Sequence, residues 1–223
     1  MKRIISAFTL LLSLTASSQN QVAIFAGPQA STANYSILNQ KQDTKMKYGF
    51  NAGVAMKVPF EGFLYFAPAA FYSMKGYDVT YNLYNSLPDI NAKDNSTRFH
   101  TFELAALLQF DLSPKPNHVF IKAGPSLDFM ISATEKFNLI SGGTVSRKMK
   151  FGPGEYGRYS ANLLAQLGYE TAGGFLIFAQ FTHSPANLSN RDGGPSIKHK
   201  VFGLSIGKYF NRKKIVIDTR NRE

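Results

Sequence analysis

The chain has no cysteine, so no disulfide framework supports it and its stability must come from burial and hydrogen bonding alone. No apolar run of about 18 residues follows the first few residues, which argues against a single-pass anchor or a bundle of membrane helices. Acidic residues are scarce, 14 against 25 lysines and arginines, and the formal net charge is +11. The four histidines, His100, His118, His183 and His199, never occur at i, i+4 or as a strand i, i+2 pair, so no metal site is predicted. A phosphate-binding glycine loop is missing too. Gly152-Pro153-Gly154 and Gly193-Gly194-Pro195 read as turn chemistry, and no cofactor is expected.

What is present begins with Met1-Lys2-Arg3, an apolar stretch from Ile4 to Leu14, and Thr15-Ala16-Ser17-Ser18-Gln19. That is the charged, apolar and small-residue order of a secretory signal peptide. The expected organisation is a signal peptide over 1–18, one domain over 19–210 and a basic tail over 211–223. Export makes nucleic acid a poor partner despite the positive charge. The clusters Arg147-Lys148-Met149-Lys150 and Arg212-Lys213-Lys214 are read as solvated loop and tail charge, or as contacts for anionic headgroups or a protein.

After Gln19 the recurring signal is alternation with period two, the pattern of strands with one apolar face. Over 47–58, Tyr48, Phe50, Ala52, Val54, Met56 and Val58 oppose Lys47, Gly49, Asn51, Gly53, Ala55 and Lys57. The same pattern recurs over 98–112, 118–133 and 158–170, and more weakly over 21–29, 63–75, 175–184 and 198–210. The expected fold is therefore all-β, a single closed antiparallel transmembrane barrel of about eight strands, whose length suits tilted membrane-crossing strands. Connections are expected to alternate between long segments (31–46, 76–97, 134–157, 185–197) and tight ones (60–62, 113–117, 171–174). Long outer loops and short periplasmic turns follow that rule, which places both termini in the periplasm.

A lysine or arginine on a barrel's lipid face costs about 2–4 kcal/mol at the bilayer midplane. The polar faces must then point inward. Glu103, Gln109, Asp111, Lys122, Asp128, Arg158, Asn162, Gln166 and Glu170 are expected to form a lumen network of paired charges in an interior just wide enough for side chains. Conduction is not expected. Pro68 and Pro125 each predict a bulge or a missing ladder hydrogen bond. Tyr65, Tyr72, Tyr159, Tyr169 and Tyr209 are read as interfacial aromatics.

Three pieces carry a family resemblance: Phe66-Ala67-Pro68-Ala69-Ala70-Phe71-Tyr72-Ser73-Met74-Lys75-Gly76, Phe120-Ile121-Lys122-Ala123-Gly124-Pro125, and Phe202-Gly203-Leu204-Ser205-Ile206-Gly207-Lys208-Tyr209-Phe210. With them the chain resembles the PorT-like outer-membrane β-barrel family of Bacteroidota. The resemblance implies a barrel in the outer membrane, in contact with its lipid, and no reaction. Phe202, Leu204, Ile206, Tyr209 and Phe210 look like the last-strand signal that barrel-assembly machinery reads by edge pairing, although Asn211 to Glu223 follow it.

His183-Ser184, with Asp192 near in sequence, is the one candidate for hydrolytic chemistry, of the kind used by lipid A deacylases. Adjacent strand residues face opposite ways, so no enzyme is expected. The expected role is structural or interactive in the cell envelope, through loops or tail, as a subunit or accessory of a secretion or assembly complex. A lipid-modifying enzyme and a ligand-binding or adhesive surface protein are the alternatives.

Overall fold

A computed structural model describes residues 20–83 and 87–210. The expected signal peptide and basic tail lie outside the described residues. Twelve strands follow in order: β1 (Gln21–Ile37), β2 (Gln40–Lys41), β3 (Asp43–Glu61), β4 (Leu64–Phe66), β5 (Ala69–Thr80), β6 (Asp94–Ala105), β7 (Leu108–Asp111), β8 (His118–Asn138), β9 (Thr144–Lys148), β10 (Tyr159–Glu170), β11 (Phe175–His183) and β12 (Ser196–Tyr209). They form one antiparallel sheet, so the all-β expectation holds in that form. β1 pairs with β3 on one side and with β12 on the other, and the pairings run from β3 through β5, β6, β8, β10 and β11 back to β12.

Twelve segments stand where about eight were expected, and two of the breaks have a common cause. Pro68 separates β4 from β5. Its carbonyl accepts from Met56 N at 2.8 Å, but proline has no N–H to return. Pro125 lies inside an unbroken β8, and the gap falls instead on the neighbouring strand, between β6 and β7. Ala106 N donates to Pro125 O at 3.0 Å without a reciprocal bond. Across both gaps the register is unchanged: Ala69 faces Ala105 and Leu64 faces Phe110 in step.

The predicted long loop over 31–46 is mostly strand. The buried alternation of β1 continues through Ser31, Ala33, Tyr35 and Ile37, and Leu38 and Asn39, both with positive φ (48° and 64°), make a tight hairpin turn. β5 and β8 likewise run on into the predicted loops over 76–97 and 134–157.

Side chains alternate between a buried face and an exposed one. The exposed face carries Ile24, Phe50, Val54, Phe102, Leu104, Leu108, Phe110, Ile121, Leu127, Leu163, Leu167, Ile177, Leu204 and Ile206. An apolar surface this continuous requires a nonaqueous neighbour. Further along the same strands the outward residues become polar, with Lys45 on β3, Arg98 on β6 and Thr134 and Lys136 on β8 all exposed. The buried face stays filled throughout. One apolar cluster includes Phe25, Phe71, Leu107, Phe120, Leu164 and Phe178, and a second includes Tyr35, Tyr77, Phe99, Met130, Tyr156 and Leu188.

Strand β1 crosses β12 closely at Gly27, where a Cβ would lie 2.0 Å from the Leu204 carbonyl oxygen. Gly27→Val is therefore expected to lower the unfolding free energy by about 1–3 kcal/mol, measured by urea unfolding of protein folded into lipid vesicles.

Candidate functional site

The buried face carries charges because strand alternation sends every second residue inward, and the exposed face is apolar. Two ion clusters result. At the tight-turn end, Lys57 of β3 reaches Asp111 of β7 at 2.6 Å and Glu170 of β10 at 2.9 Å. His118, the first residue of β8, brings Nε2 to 3.1 Å from Asp111 and 3.4 Å from Glu170. Gln109 Nε2 donates to Asp111 Oδ1 at 2.6 Å. Lys122 stands over the Phe120 ring, 4.8 Å from its centroid.

The second cluster lies further along the strands, past the Phe71 and Phe120 cluster. Lys75 of β5 pairs with Asp128 of β8 and lies 3.8 Å from Glu103 of β6, and Ser126 donates to Glu103. Beside it a neutral network crosses the interior. Gln29 Nε2 donates to Ser73 Oγ at 2.7 Å, Asn51 Nδ2 to Gln29 Oε1 at 3.2 Å, and Ser205 Oγ to Asn51 Oδ1 at 3.0 Å. Buried charges need partners of this kind, because an isolated ion in a low-dielectric interior costs several kcal/mol.

Eight of the nine expected network residues, Glu103, Gln109, Asp111, Lys122, Asp128, Asn162, Gln166 and Glu170, are on the buried face. Asn162 accepts from Ser160 at 3.4 Å, and Gln166 donates to Gln180 at 3.4 Å. Arg158 is the correction. It precedes the first residue of β10 and is exposed, with its guanidinium 5.3 Å from the centroid of Phe151, because outside the ladder the alternation no longer dictates its direction. Lys57 and Lys75, the cations that organise both clusters, were absent from the expected network. Lys57 sits on the polar face of a clear alternation, which is the signal that identifies it. Lys75 ends a segment whose two faces are both apolar.

In the last strand Phe202, Leu204, Ile206 and Phe210 are exposed, whereas Tyr209 is buried. The tyrosine belongs to the inward set, one residue out of step with the other four, and so is neither part of an outward signal nor an interfacial aromatic. Ser184 is buried, and its hydroxyl meets Ser160 Oγ at 2.6 Å and the Ala161 carbonyl at 3.3 Å. The hydroxyl is thus engaged away from a His183 general base, and Asp192 is exposed.

At the opposite end from the turns, the connections fold over the second apolar cluster. Leu87, Met149, Tyr156 and Leu188 are buried there. Glu135 accepts from Arg147 Nε at 2.7 Å and from Tyr156 at 3.1 Å, and Arg147 also donates to the Pro88 carbonyl at 2.8 Å. Burial pushes the Tyr156 phenol well above its ordinary range, so it donates as a neutral hydroxyl.

Residues 10–190 match the family described as the outer membrane protein beta-barrel domain. The chain belongs to that family. With the apolar exterior, membership makes this an outer-membrane β-barrel protein. Among solved structures, the attachment invasion locus protein Ail of Yersinia pestis is 14% identical, with 86% of this chain and 99% of that one covered and a TM-score of 0.46. OprG of Pseudomonas aeruginosa is 12% identical, with 86% and 96% covered and a TM-score of 0.48. Neisserial surface protein A is 13% identical, with 84% and 99% covered and a TM-score of 0.39. No curated protein sequence matches significantly.

Lys75→Met leaves Glu103 and Asp128 buried without their cation and is expected to destabilise this outer-membrane protein by about 3–5 kcal/mol, read from guanidinium unfolding in vesicles. Glu135→Ala removes the shared acceptor of Arg147 and Tyr156. Trypsin should then cut the folded protein in detergent several-fold faster within 147–150, as followed by mass spectrometry.

Proposed function

We propose that this outer-membrane protein is a closed eight-stranded barrel, packed solid, whose rigid protruding end is an interaction surface for an envelope partner. The observation that carries this reading is along β8. Its inward residues His118, Phe120, Lys122, Ser126, Asp128, Met130, Ala133, Glu135 and Phe137 are all buried, while its outward side changes from Val119, Ile121 and Leu127 to Thr134 and Lys136. A strand that keeps a core after leaving the apolar band extends the barrel beyond the membrane as ordered structure.

The pairings support the reading of eight strands. β4 with β5 and β6 with β7 each keep one register across a proline gap. β2 precedes β3 by the single residue Gln42, whose N–H still donates to the Tyr35 carbonyl at 2.9 Å. β9 is a flap that takes over pairing with the upper part of β8. Eight long strands remain, an interior that side chains just fill. Tight turns at 62–63, 112–117 and 171–174 share one end with the first and last described strand residues, an arrangement that supports periplasmic termini.

On the residues quoted above, the chain is assigned to the PorT-like branch of Bacteroidota. Its role is non-enzymatic and non-conducting, as a subunit or accessory of a secretion or assembly complex. The leader over 1–18 directs export, 19–210 form the barrel, and the basic tail over 211–223 remains in the periplasm. Outer-membrane lipid surrounds it, and the assembly machinery inserts it through β12.

Isolation from native outer membranes in mild detergent, followed by native gel and mass spectrometry, is expected to yield a stoichiometric partner that is lost when 141–157 are shortened. A chain that travels alone would refute the subunit reading. In planar bilayers the purified protein is expected to show no discrete current steps, and the unboiled protein should migrate faster than the boiled one on a gel. Stepwise conductance would refute a filled interior.

A further inference from the structure

The tight-turn ion cluster contains one nitrogen that the charge pairing leaves unexplained. His118 Nδ1 lies 3.0 Å from the Lys115 carbonyl oxygen, an acceptor only, so Nδ1 carries a proton and donates it. In the neutral ring Nε2 is then the unprotonated nitrogen. That lone pair faces Asp111 Oδ2 at 3.1 Å and Glu170 Oε2 at 3.4 Å, two further electron-pair donors. It is buried and has no hydrogen-bond partner. The unpartnered imidazole lone pair and the two carboxylate oxygens converge on one point, and a cation is what such a point holds. The same two carboxylate oxygens already hold one, the Lys57 ammonium.

We infer that Asp111, His118 and Glu170 form a divalent transition-metal site, zinc being the best match, in which the metal displaces the Lys57 ammonium. The side chains are 5%, 5% and 1% exposed, and the three ligand atoms lie within 4.8 Å of one another. Around a tetrahedral zinc with bonds of about 2.0–2.1 Å, ligand atoms are separated by about 3.3–3.4 Å. The two His118 separations, 3.1 and 3.4 Å, are close to that spacing. One imidazole and two carboxylates suit zinc, with a fourth position left for water.

The surroundings are those of metal ligands. A ligating histidine usually donates its other ring N–H to a carbonyl, as His118 does to Lys115. Asp111 is itself held, by Gln109 Nε2 at 2.6 Å. Gln109 is fully buried and its Oε1 has no partner, which leaves a further acceptor at the cluster's edge. Asp111 and His118 flank the turn at 112–117 and Glu170 immediately precedes the turn at 171–174, so the path from solvent is short. The site stands apart from the partner-binding reading and does not depend on it.

The test uses the untagged full chain folded in detergent, titrated with zinc by calorimetry and with cobalt by visible absorption. One zinc per chain is expected, with a tetrahedral cobalt spectrum. His118→Ala, which leaves both Lys57 ion pairs in place, should weaken zinc at least about 10-fold while the unboiled gel shift persists. Binding well below one equivalent, or an affinity unchanged in the variant, would overturn the site. Should the variant fail to fold, zinc X-ray absorption of the wild-type protein decides: one imidazole with oxygen ligands supports the site, and a shell without imidazole refutes it.

Discussion

Backbone hydrogen bonding is the constraint on which the rest of this structure depends. In hydrocarbon every N–H and C=O must find a partner within the protein, and β1 meets that demand by pairing with β3 on one side and β12 on the other. The cost of an exception is visible at Pro68 and Pro125. Each removes one donor, and the neighbouring ladder opens for two residues, yet the register on both sides is kept. Register survives because a slip by one residue would turn every apolar side chain inward and every charge outward. Side-chain facing, more than any single hydrogen bond, therefore fixes the pairing.

That facing makes the interior a chemical problem of its own. Lys57, Lys75, Asp111, Glu103, Asp128 and Glu170 are almost fully buried, and each is tolerable only with the others near. The clusters are separated along the strands by apolar side chains such as Phe71 and Phe120. A layered arrangement keeps each cluster small enough for its members to pair directly. The His118 nitrogen, caught between two carboxylates, is a consequence of the same crowding.

The end opposite the tight turns follows a different rule. There the exterior is polar and water can satisfy the backbone, so connections are free to vary, and what orders them is a second apolar core. Tyr35, Tyr77 and Phe99 come from strands, while Leu87, Tyr156 and Leu188 come from the connections that fold over them. The Glu135, Arg147 and Tyr156 contacts fasten the flap to β8. Order in these connections is thus inherited from strands that continue past the apolar band.

Alternation in the sequence by itself determined the all-β class, the facing of segments such as 47–58 and 118–130, and the inward set from Glu103 to Glu170, because period two is a local property that each strand carries alone. Arg158 and Tyr209 show its limit: one lies just outside a ladder, and the other falls on the opposite parity from its neighbours. Strand length was underestimated in β1 because Ser31, Ala33 and Tyr35 alternate against the polar residues Thr32, Asn34 and Ser36, so the apolar outward face that marks the other strands is missing there. Only the tertiary structure decided which charges meet. Lys57, Asp111, His118 and Glu170 come from four strands spread over more than a hundred residues, and their contacts depend on strand order and register across the sheet, which no local pattern encodes.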